Sequence, residues 1–251
     1  KIAFEKAGII KPNVPVIIGQ QPYKEALEVL INQAKKLEAP AFVYKQDWNI
    51  KQNENKICYS DEEGEIFLDP LNIYGEFQLY NLGLAIASTR KIENQNIKNA
   101  LSHNPHLKIK LPGRIQQINN GKYFKLISPQ NELFLDGSHN EDAAFQLNLA
   151  MQNMPQVKDL VMIIGMINTK DPINYVKQLK GLVAIKTITI PDEVSAIPAE
   201  QLSSKLTGLV SEVSQANSIE EAIRSLSNEY PQARILICGS LYLAGQVLKY
   251  N

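Results

Sequence analysis

The chain has 251 residues, of which 44% are hydrophobic, so it can build one or two packed domains and is not a disordered chain. Lysine plus arginine equals aspartate plus glutamate at 26 each, and no overall charge therefore favours nucleic acid or an acidic membrane surface. The apolar runs are far shorter than the roughly 20 residues of a membrane span, and no signal-peptide pattern opens the chain. The two cysteines lack metal-like spacing, and we expect a cytoplasmic protein that binds neither nucleic acid nor a membrane.

The first hundred residues predict alternating helices and strands. Residues 1–8 are typical of the last turns of a helix that ends at Gly8, and we expect an N-terminal part of this domain to be missing. A turn at 61–64 within a polar stretch predicts a hairpin between 48 and 73. The other predicted elements are strands at 14–19 and 41–44 and helices at 23–37, 75–91 and 94–103.

A domain boundary is predicted near Asn104 and Pro105, after which the pattern becomes regular. Strands that are continuous apolar runs alternate with helices, which indicates a mostly parallel sheet covered on both faces. In such sheets ligands bind at the carboxyl ends of the strands, where the turns at 136–140, 165–168 and 239–240 fall. The predicted strands are at 108–111, 115–118 and 123–127 (these two as a hairpin), 133–135, 160–166, 184–190 and 235–238, and the predicted helices are at 141–154, 172–179, 199–206, 219–230 and 241–249.

Two turn motifs are the most informative feature of the sequence: Leu-Pro-Gly-Arg at 111–114 and Leu-Asp-Gly-Ser-His-Asn at 135–140. Arg114 keeps its charge and can bind phosphate through two N–H groups, and Asp136 can accept hydrogen bonds from ribose hydroxyls. His139 and Asn140 offer further donors and acceptors, so the set is suited to holding a nucleotide. The alternative is a strand–turn–helix joint in which Asp-Gly makes the turn and His139 or Asn140 caps the helix.

Several well-known site patterns are absent from the sequence. No Gly-x-x-x-x-Gly-Lys-[Ser/Thr] loop and no Gly-x-Gly-x-x-Gly fingerprint occurs. The main phosphate-binding loop of any nucleotide site is therefore not in this chain. Asp136, Ser138 and His139 do not form a Ser-His-Asp triad, because residues adjacent on one turn cannot place nucleophile, base and orienting carboxylate in a line.

Four segments, in order, resemble one family. Residues 2–12 (Ile-Ala-Phe-Glu-Lys-Ala-Gly-Ile-Ile-Lys-Pro) resemble the segment that closes the ATPase domain of folylpolyglutamate and dihydrofolate synthases, relatives of the Mur ligases. The motifs at 111–114, 135–140 and 238–245 resemble that family's C-terminal domain. The resemblance covers essentially the whole chain and implies an α/β protein with two parts. Residues 1–107 would be the tail of a P-loop-type ATPase domain, and residues 108–251 a Rossmann-like C-terminal domain with a mostly parallel sheet.

The resemblance implies an ATP-dependent ligase that uses Mg²⁺ and acts as a monomer. It would add L-glutamate to dihydropteroate, or to the glutamate tail of folate, through an acyl phosphate. Because the P-loop part is missing from this chain, we expect the chain by itself to be inactive. The alternatives are a non-catalytic remnant of a split or decayed ligase gene and another amide ligase of the Mur type.

The resemblance also implies roles for individual residues. Lys6 corresponds to a lysine that the family carbamylates, which would give it a carboxylate-like group able to help hold Mg²⁺. Asn81 matches an asparagine that reads the adenine edge. Arg114 matches an arginine that reaches the ATP phosphates, and Asp136 matches an aspartate near the ribose.

The remaining assignments concern the same edge of the sheet. His139 is implied as a catalytic residue, Asn140 as a nucleotide contact, and Ser240 as a candidate contact for the incoming glutamate. The chain departs from the family where Phe77 replaces a frequent histidine and where 165–171 keeps only the Lys-Asp of an acidic–lysine–acidic ending. These departures concern substrate preference more than nucleotide binding.

Overall fold

The chain folds into two compact units, Lys1–Ile109 and Lys110–Asn251. The computed structural model describes residues 1–53, 56–71, 74–92, 109–155 and 158–251. The helix expected at 94–103 and the boundary expected at 104–105 lie outside the described residues. The strand expected at 108–111 is wrong over its described part, 109–111, which has no strand structure. Pro112 follows directly, and because proline has no backbone N–H it cannot donate the hydrogen bond that would continue a sheet ladder.

The first unit contains a small parallel sheet and an antiparallel sheet. Strands β1 and β2 pair in parallel, whereas β3, β4 and β5 form an antiparallel meander. The hairpin predicted around the turn at 61–64 is therefore confirmed, with one more strand than expected. The elements are α1 (Ile2–Ala7), β1 (Val16–Ile18), α2 (Lys24–Lys36), β2 (Ala41–Val43), β3 (Trp48–Asn53), β4 (Lys56–Asp61), β5 (Gly64–Leu68) and α3 (Glu76–Arg90).

Helix α3 covers the antiparallel sheet of the first unit. Leu82 and Ile86 of α3 are buried in one cluster with Trp48, Ile50 and Tyr59 of the sheet. The Trp48 and Tyr59 rings stack with their centroids 6.2 Å apart. The alternation of buried and exposed residues along β3 and β4 follows from having one covered face, as is usual for antiparallel sheets.

The second unit is built on a six-stranded sheet in the order β10-β9-β8-β11-β7-β6. All neighbouring strands are parallel except β6, which runs antiparallel to β7. This confirms the predicted mostly parallel sheet. The elements are β6 (Gln116–Gln117), α4 (Gly121–Phe124), β7 (Glu132–Leu135), α5 (Glu141–Gln152), β8 (Leu160–Ile164), α6 (Pro172–Lys177), β9 (Leu182–Thr187), α7 (Ala199–Leu206), β10 (Glu212–Gln215), α8 (Ile219–Glu229), β11 (Arg234–Cys238) and α9 (Leu241–Tyr250).

Both faces of this sheet are buried. Every residue of β8 and β11 is buried, which explains why these strands read as continuous apolar runs. Residues such as Val161 and Ile235 belong to a core cluster shared with α8 and α9. Their neighbours Met162 and Leu236 point to the opposite face, because side chains alternate along a strand. In the described ranges, no helix is both long and apolar enough to cross a bilayer.

Two elements of the second unit differ from the sequence-based expectation. The hairpin strand predicted at 123–127 is wrong, since α4 occupies this stretch and buries Tyr123 in the core cluster. Gly121, at φ +88°, turns the chain away from the sheet before a second strand can form. Strand β10 was not predicted, because it pairs only with β9 at the sheet edge and its Glu-Val-Ser-Gln sequence is half-buried and polar.

Replacing Gly83 with alanine is expected to lower the free energy of unfolding of the first unit by about 1–3 kcal/mol. An added β-carbon would lie 2.7 Å from Ile50 Cγ2 and 2.8 Å from the Trp48 ring. Trp48 is the only tryptophan of the chain, so urea unfolding followed by its fluorescence reports on this unit. Gly245→Ala is the contrasting change: its β-carbon would meet open space on α9, and a gain of about 0.5–1 kcal/mol by circular dichroism is expected. A stable Gly83→Ala variant would contradict the packing of α3 on β3.

Candidate functional site

Three turns of the second unit meet at the carboxyl edge of its sheet. Strand β11 lies between β7 and β8 and is parallel to both, so the turns that follow these strands are neighbours. The Gly239 N–H donates to the Ser138 carbonyl at 3.0 Å, and the Gly165 N–H donates to the Cys238 carbonyl at 3.4 Å. The predicted convergence of the turns at one edge is therefore confirmed.

The Asp136 carboxylate joins the two turn motifs that the sequence singles out. Its side chain is only 4% exposed. Oδ1 accepts from the Ser138 N–H at 2.7 Å, and Oδ2 accepts from the Ile115 N–H at 2.8 Å. The Gly137 N–H also donates to the Gly113 carbonyl at 2.7 Å. The turn at 111–114 and the following Ile115 are thus fixed to the end of β7 by two hydrogen bonds, from the Ile115 N–H and to the Gly113 carbonyl.

The Arg114 turn has an unusual backbone. Gly113 has φ +66° and Ile115 has φ +46°, a conformation that is strained for a β-branched residue. Strain of this kind is concentrated at functional sites and persists only where surrounding contacts enforce it, which here come from Asp136. The Arg114 side chain is exposed, and none of the described residues forms an ion pair or hydrogen bond with its guanidinium. Within the described residues, the turn therefore presents a cation without a bonding partner at the carboxyl edge of the sheet.

The next two residues of the Asp136 turn have distinct partners. His139 is half-buried, and its Nδ1 lies 3.1 Å from the Gly137 carbonyl. A carbonyl only accepts, so Nδ1 carries the hydrogen and the Nε2 of a neutral ring is an acceptor. The Asn140 Oδ1 accepts from the Ala143 N–H at 2.9 Å and caps α5. The helix-capping alternative is thus confirmed for Asn140, and its nucleotide contact stays a prediction.

Ser240 occupies the corresponding position at the end of β11. Its Oγ accepts from the Tyr242 N–H at 3.0 Å and caps α9. The residue is 3% exposed. Among the described residues the hydroxyl has no hydrogen-bond acceptor, so a contact with a substrate carboxylate is chemically consistent and stays a prediction.

Sequence reasoning missed a buried polar group under these turns. Tyr175 of α6 is fully buried, and its hydroxyl oxygen lies 2.7 Å from Ser138 Oγ. Burial, together with a hydrogen bond to the Cys238 thiol, raises the pKa of Tyr175 well above its usual value. The signal was available, because a tyrosine in the apolar stripe of a short helix needs a hydrogen-bond partner when buried.

Cys238 is expected to resist alkylation in the folded protein. Complete burial raises the pKa of its thiol to about 12, so the reactive thiolate is scarce at pH 8. Cys58 is partly exposed and is expected to be the cysteine that iodoacetamide modifies first. Peptide mass spectrometry after labelling at pH 8, with and without urea, checks this. Labelling of Cys238 at the same rate in the folded and unfolded chain would contradict its burial.

The other two predicted site residues lie in the first unit. Lys6 is exposed in the last turn of α1. Asn81 is exposed on α3, and its Nδ2 donates to Oε1 of the buried Gln78 at 3.1 Å. Over the described ranges, no three histidine, cysteine or acidic residues are grouped so as to hold a metal ion. These residues do not form a Mg²⁺ site by themselves, and the roles of Lys6 and Asn81 stay predictions.

A mostly parallel sheet with strained and capped turns at its carboxyl edge makes the second unit an α/β domain, a class in which ligands bind at that edge. A family model described as the dihydrofolate synthetase C-terminal domain matches residues 119–250. The chain therefore belongs to the dihydrofolate synthetase C-terminal domain family.

Three curated relatives match nearly the whole chain. Folylpolyglutamate synthase of Lacticaseibacillus casei is 24% identical over 260 residues, which are 98% of this chain and 56% of the relative. A probable dihydrofolate synthetase of Schizosaccharomyces pombe is 27% identical, covering 99% of this chain and 60% of the relative. Dihydrofolate synthase/folylpolyglutamate synthase of Escherichia coli is 25% identical, with 99% and 54% covered. The chain thus spans little more than half the length of these relatives.

Solved structures show the same fold. The structure of E. coli FolC in complex with DHPP and ADP has a TM-score of 0.77 at 23% identity and covers 99% of this chain and 55% of its own. A Mycobacterium tuberculosis folylpolyglutamate synthase complexed with ADP and AMPPCP has a TM-score of 0.77 at 19% identity, with 99% and 58% covered. The bifunctional synthase of Yersinia pestis complexed with AMPPNP and Mn has a TM-score of 0.75 at 22% identity, with 99% and 55% covered.

Proposed function

We propose that this chain is part of an ATP-dependent ligase that joins L-glutamate to dihydropteroate or to the glutamate tail of folate. The observation that carries the proposal is the exposed Arg114 guanidinium, unbonded to any described residue, on a strained turn that Asp136 holds in place. Family membership and the names of the curated relatives support the choice of reaction.

The chemistry needs a cation near transferred phosphate. A substrate carboxylate oxygen attacks the γ-phosphorus of ATP, ADP leaves, and the glutamate amine then displaces phosphate from the acyl carbon. Such transfers are catalysed mainly by positioning and charge neutralisation, which suits an exposed arginine on a rigid turn. With Nδ1 of His139 engaged by the Gly137 carbonyl, Nε2 would be the nitrogen that accepts a proton in the catalytic role proposed for this residue.

We propose that the complete ligase uses ATP and Mg²⁺. The solved relatives named above contain ADP, AMPPCP or AMPPNP, and one contains Mn, which supports the proposal of ATP and Mg²⁺ for this chain. In this proposal Asn81 contacts adenine, Asp136 and Asn140 the nucleotide, and a carbamylated Lys6 supplies one metal ligand. Ser240 contacts the incoming glutamate.

We propose that residues 1–107 are the tail of an ATPase domain and that residues 108–251 are the C-terminal domain. Over the described residues the parallel sheet of the first unit has two strands, while Ile2, Phe4 and Ile9 are each more than 70% exposed. Parallel sheets are normally larger and covered on both faces, which supports the proposal that a further protein segment packs on this unit. We propose that this segment bears the P-loop and that the complete ligase acts as a monomer.

The test is ATP- and glutamate-dependent ligation of dihydropteroate and folates. We expect no turnover by the 251-residue chain and turnover when it is expressed with its upstream coding sequence, because the phosphate loop is expected there. Turnover by the chain alone at ordinary enzyme rates would contradict the need for that loop. A stop or frameshift upstream of Lys1 would favour the remnant, and turnover only with cell-wall precursors would favour another Mur-type ligase.

A further inference from the structure

The Tyr175 hydroxyl is a polar group at a position where burying an apolar ring would cost less free energy. The residue is 0% exposed, and transferring a hydroxyl from water into such a site is unfavourable unless it is hydrogen-bonded. Its hydroxyl lies 2.7 Å from Ser138 Oγ, and Ser138 itself is only 3% exposed. Phenylalanine would fill the same space without this requirement, so the hydroxyl needs an explanation other than packing.

The hydroxyl pair is the first link of a continuous buried chain of hydrogen bonds. The Ser138 N–H donates to Asp136 Oδ1 at 2.7 Å, and Asp136 Oδ2 accepts from the Ile115 N–H at 2.8 Å. The Gly239 N–H donates to the Ser138 carbonyl at 3.0 Å. Ser138 is therefore the point at which α6, β11 and the Asp136 turn are joined.

Helix α6 provides a fixed anchor for this chain. The Asp171 carboxylate caps its first turn by accepting from the Ile173 and Asn174 N–H groups at 3.0 and 3.1 Å. Pro172 at the first helical position further restricts the backbone. The Asp171 of the motif at 165–171 thus serves to start the helix that carries Tyr175.

We propose that Tyr175 is a positioning residue, whose hydroxyl holds, through Ser138 and Asp136, the strained turn that presents Arg114. The backbone at Ile115 has φ +46° and requires external contacts to keep it there. Tyr175 touches no ligand in this arrangement and acts only on the geometry of the turns. The role of the turn in binding phosphate rests on the proposed function, whereas the hydrogen-bond coupling does not.

The first experiment measures amide hydrogen exchange in Tyr175→Phe, which keeps the ring and removes the hydroxyl. We expect exchange at the Ile115 and Ser138 amides to accelerate about tenfold, the effect of losing one buried hydrogen bond. The Arg234 amide, which donates to the Asp159 carbonyl at the other edge of the sheet, is expected to be unchanged. Ser138→Ala removes the same bond from the other side and is the second variant.

The matched control is Tyr123→Phe. Tyr123 is 2% exposed in the same unit, and across the described ranges its hydroxyl forms no hydrogen bond. We expect it to leave the Ile115 and Ser138 amides unchanged. Equal acceleration throughout the unit in Tyr175→Phe, or none at these two amides, would overturn the proposal.

The second experiment is a double-mutant cycle in the ligase assay with the complete protein. Tyr175→Phe is expected to lower kcat/KM for ATP about tenfold when Arg114 is present and by less than twofold in the Arg114→Ala background. A purely structural role would give equal factors in both backgrounds and would overturn the proposal. If the unmodified protein shows no ATP-dependent ligation, the proposed function fails, while hydrogen exchange still decides the role of Tyr175.

Discussion

Arg114→Ala is expected to lower kcat/KM for ATP by about 100-fold or more in the ligase assay, because removing one group that stabilises developing charge costs a factor of this order. The side chain is exposed and forms no hydrogen bond or ion pair with a described residue, so its loss leaves every hydrogen bond of the two turns in place. The free energy of unfolding should therefore change by less than about 0.5 kcal/mol.

Arg224→Ala is the matched control for this change. Arg224 is an exposed arginine on α8 of the same unit, and replacing it with alanine changes the net charge by the same amount. We expect it to leave kcat/KM unchanged. An Arg114→Ala variant with full activity, or a loss of the same size in Arg224→Ala, would contradict a phosphate-binding role for the turn.

Asp136→Ala is expected to lower the free energy of unfolding of the second unit by about 2–4 kcal/mol. The change removes a buried acceptor and leaves the Ile115 and Ser138 N–H groups without their partners, each of which costs about 1–3 kcal/mol. Urea unfolding by circular dichroism measures the loss. The fluorescence of Trp48 serves as a reference, because it reports on the first unit, which this change does not touch.

Asp142→Ala is the control for the loss of a carboxylate. Asp142 is exposed in the first turn of α5, where a negative charge contributes roughly 0.3–1 kcal/mol. A loss in Asp136→Ala no larger than in Asp142→Ala would contradict the structural role of Asp136. Together with Arg114→Ala, the pair separates a residue that holds the turn from a residue that the turn presents.

The structural roles of the turn residues are compatible with the roles that the family resemblance implies for them. The resemblance assigns Asp136 to the ribose, and the structure shows both of its oxygens accepting backbone N–H groups. Each oxygen keeps one further lone pair, so a nucleotide contact and the structural role are compatible. Asn140 and Ser240 likewise cap helices while standing at the carboxyl edge of the sheet.

The sequence by itself determined the features that depend on neighbouring residues. Continuous apolar runs predict β8 and β11 because both faces of these strands are buried. Helix α7 begins and ends at the predicted residues, 199 and 206, since its apolar spacing is regular. The turn motifs could be placed at strand ends for the same reason, as they directly follow predicted strands.

Only the tertiary structure decided the features that depend on residues far apart in the chain. Whether 123–127 pairs as a strand or 121–124 folds as α4 depends on the burial of Tyr123 against α8 and α9, and β10 exists because β9 offers it an edge. Asp136 is hydrogen-bonded to Ile115, which is 21 positions away in the sequence, and Tyr175 is hydrogen-bonded to Ser138, which is 37 positions away. Periodicity reports which face of an element is buried, but not which strands become neighbours. That order brings β7, β11 and β8 together, and with them the turns that form the site.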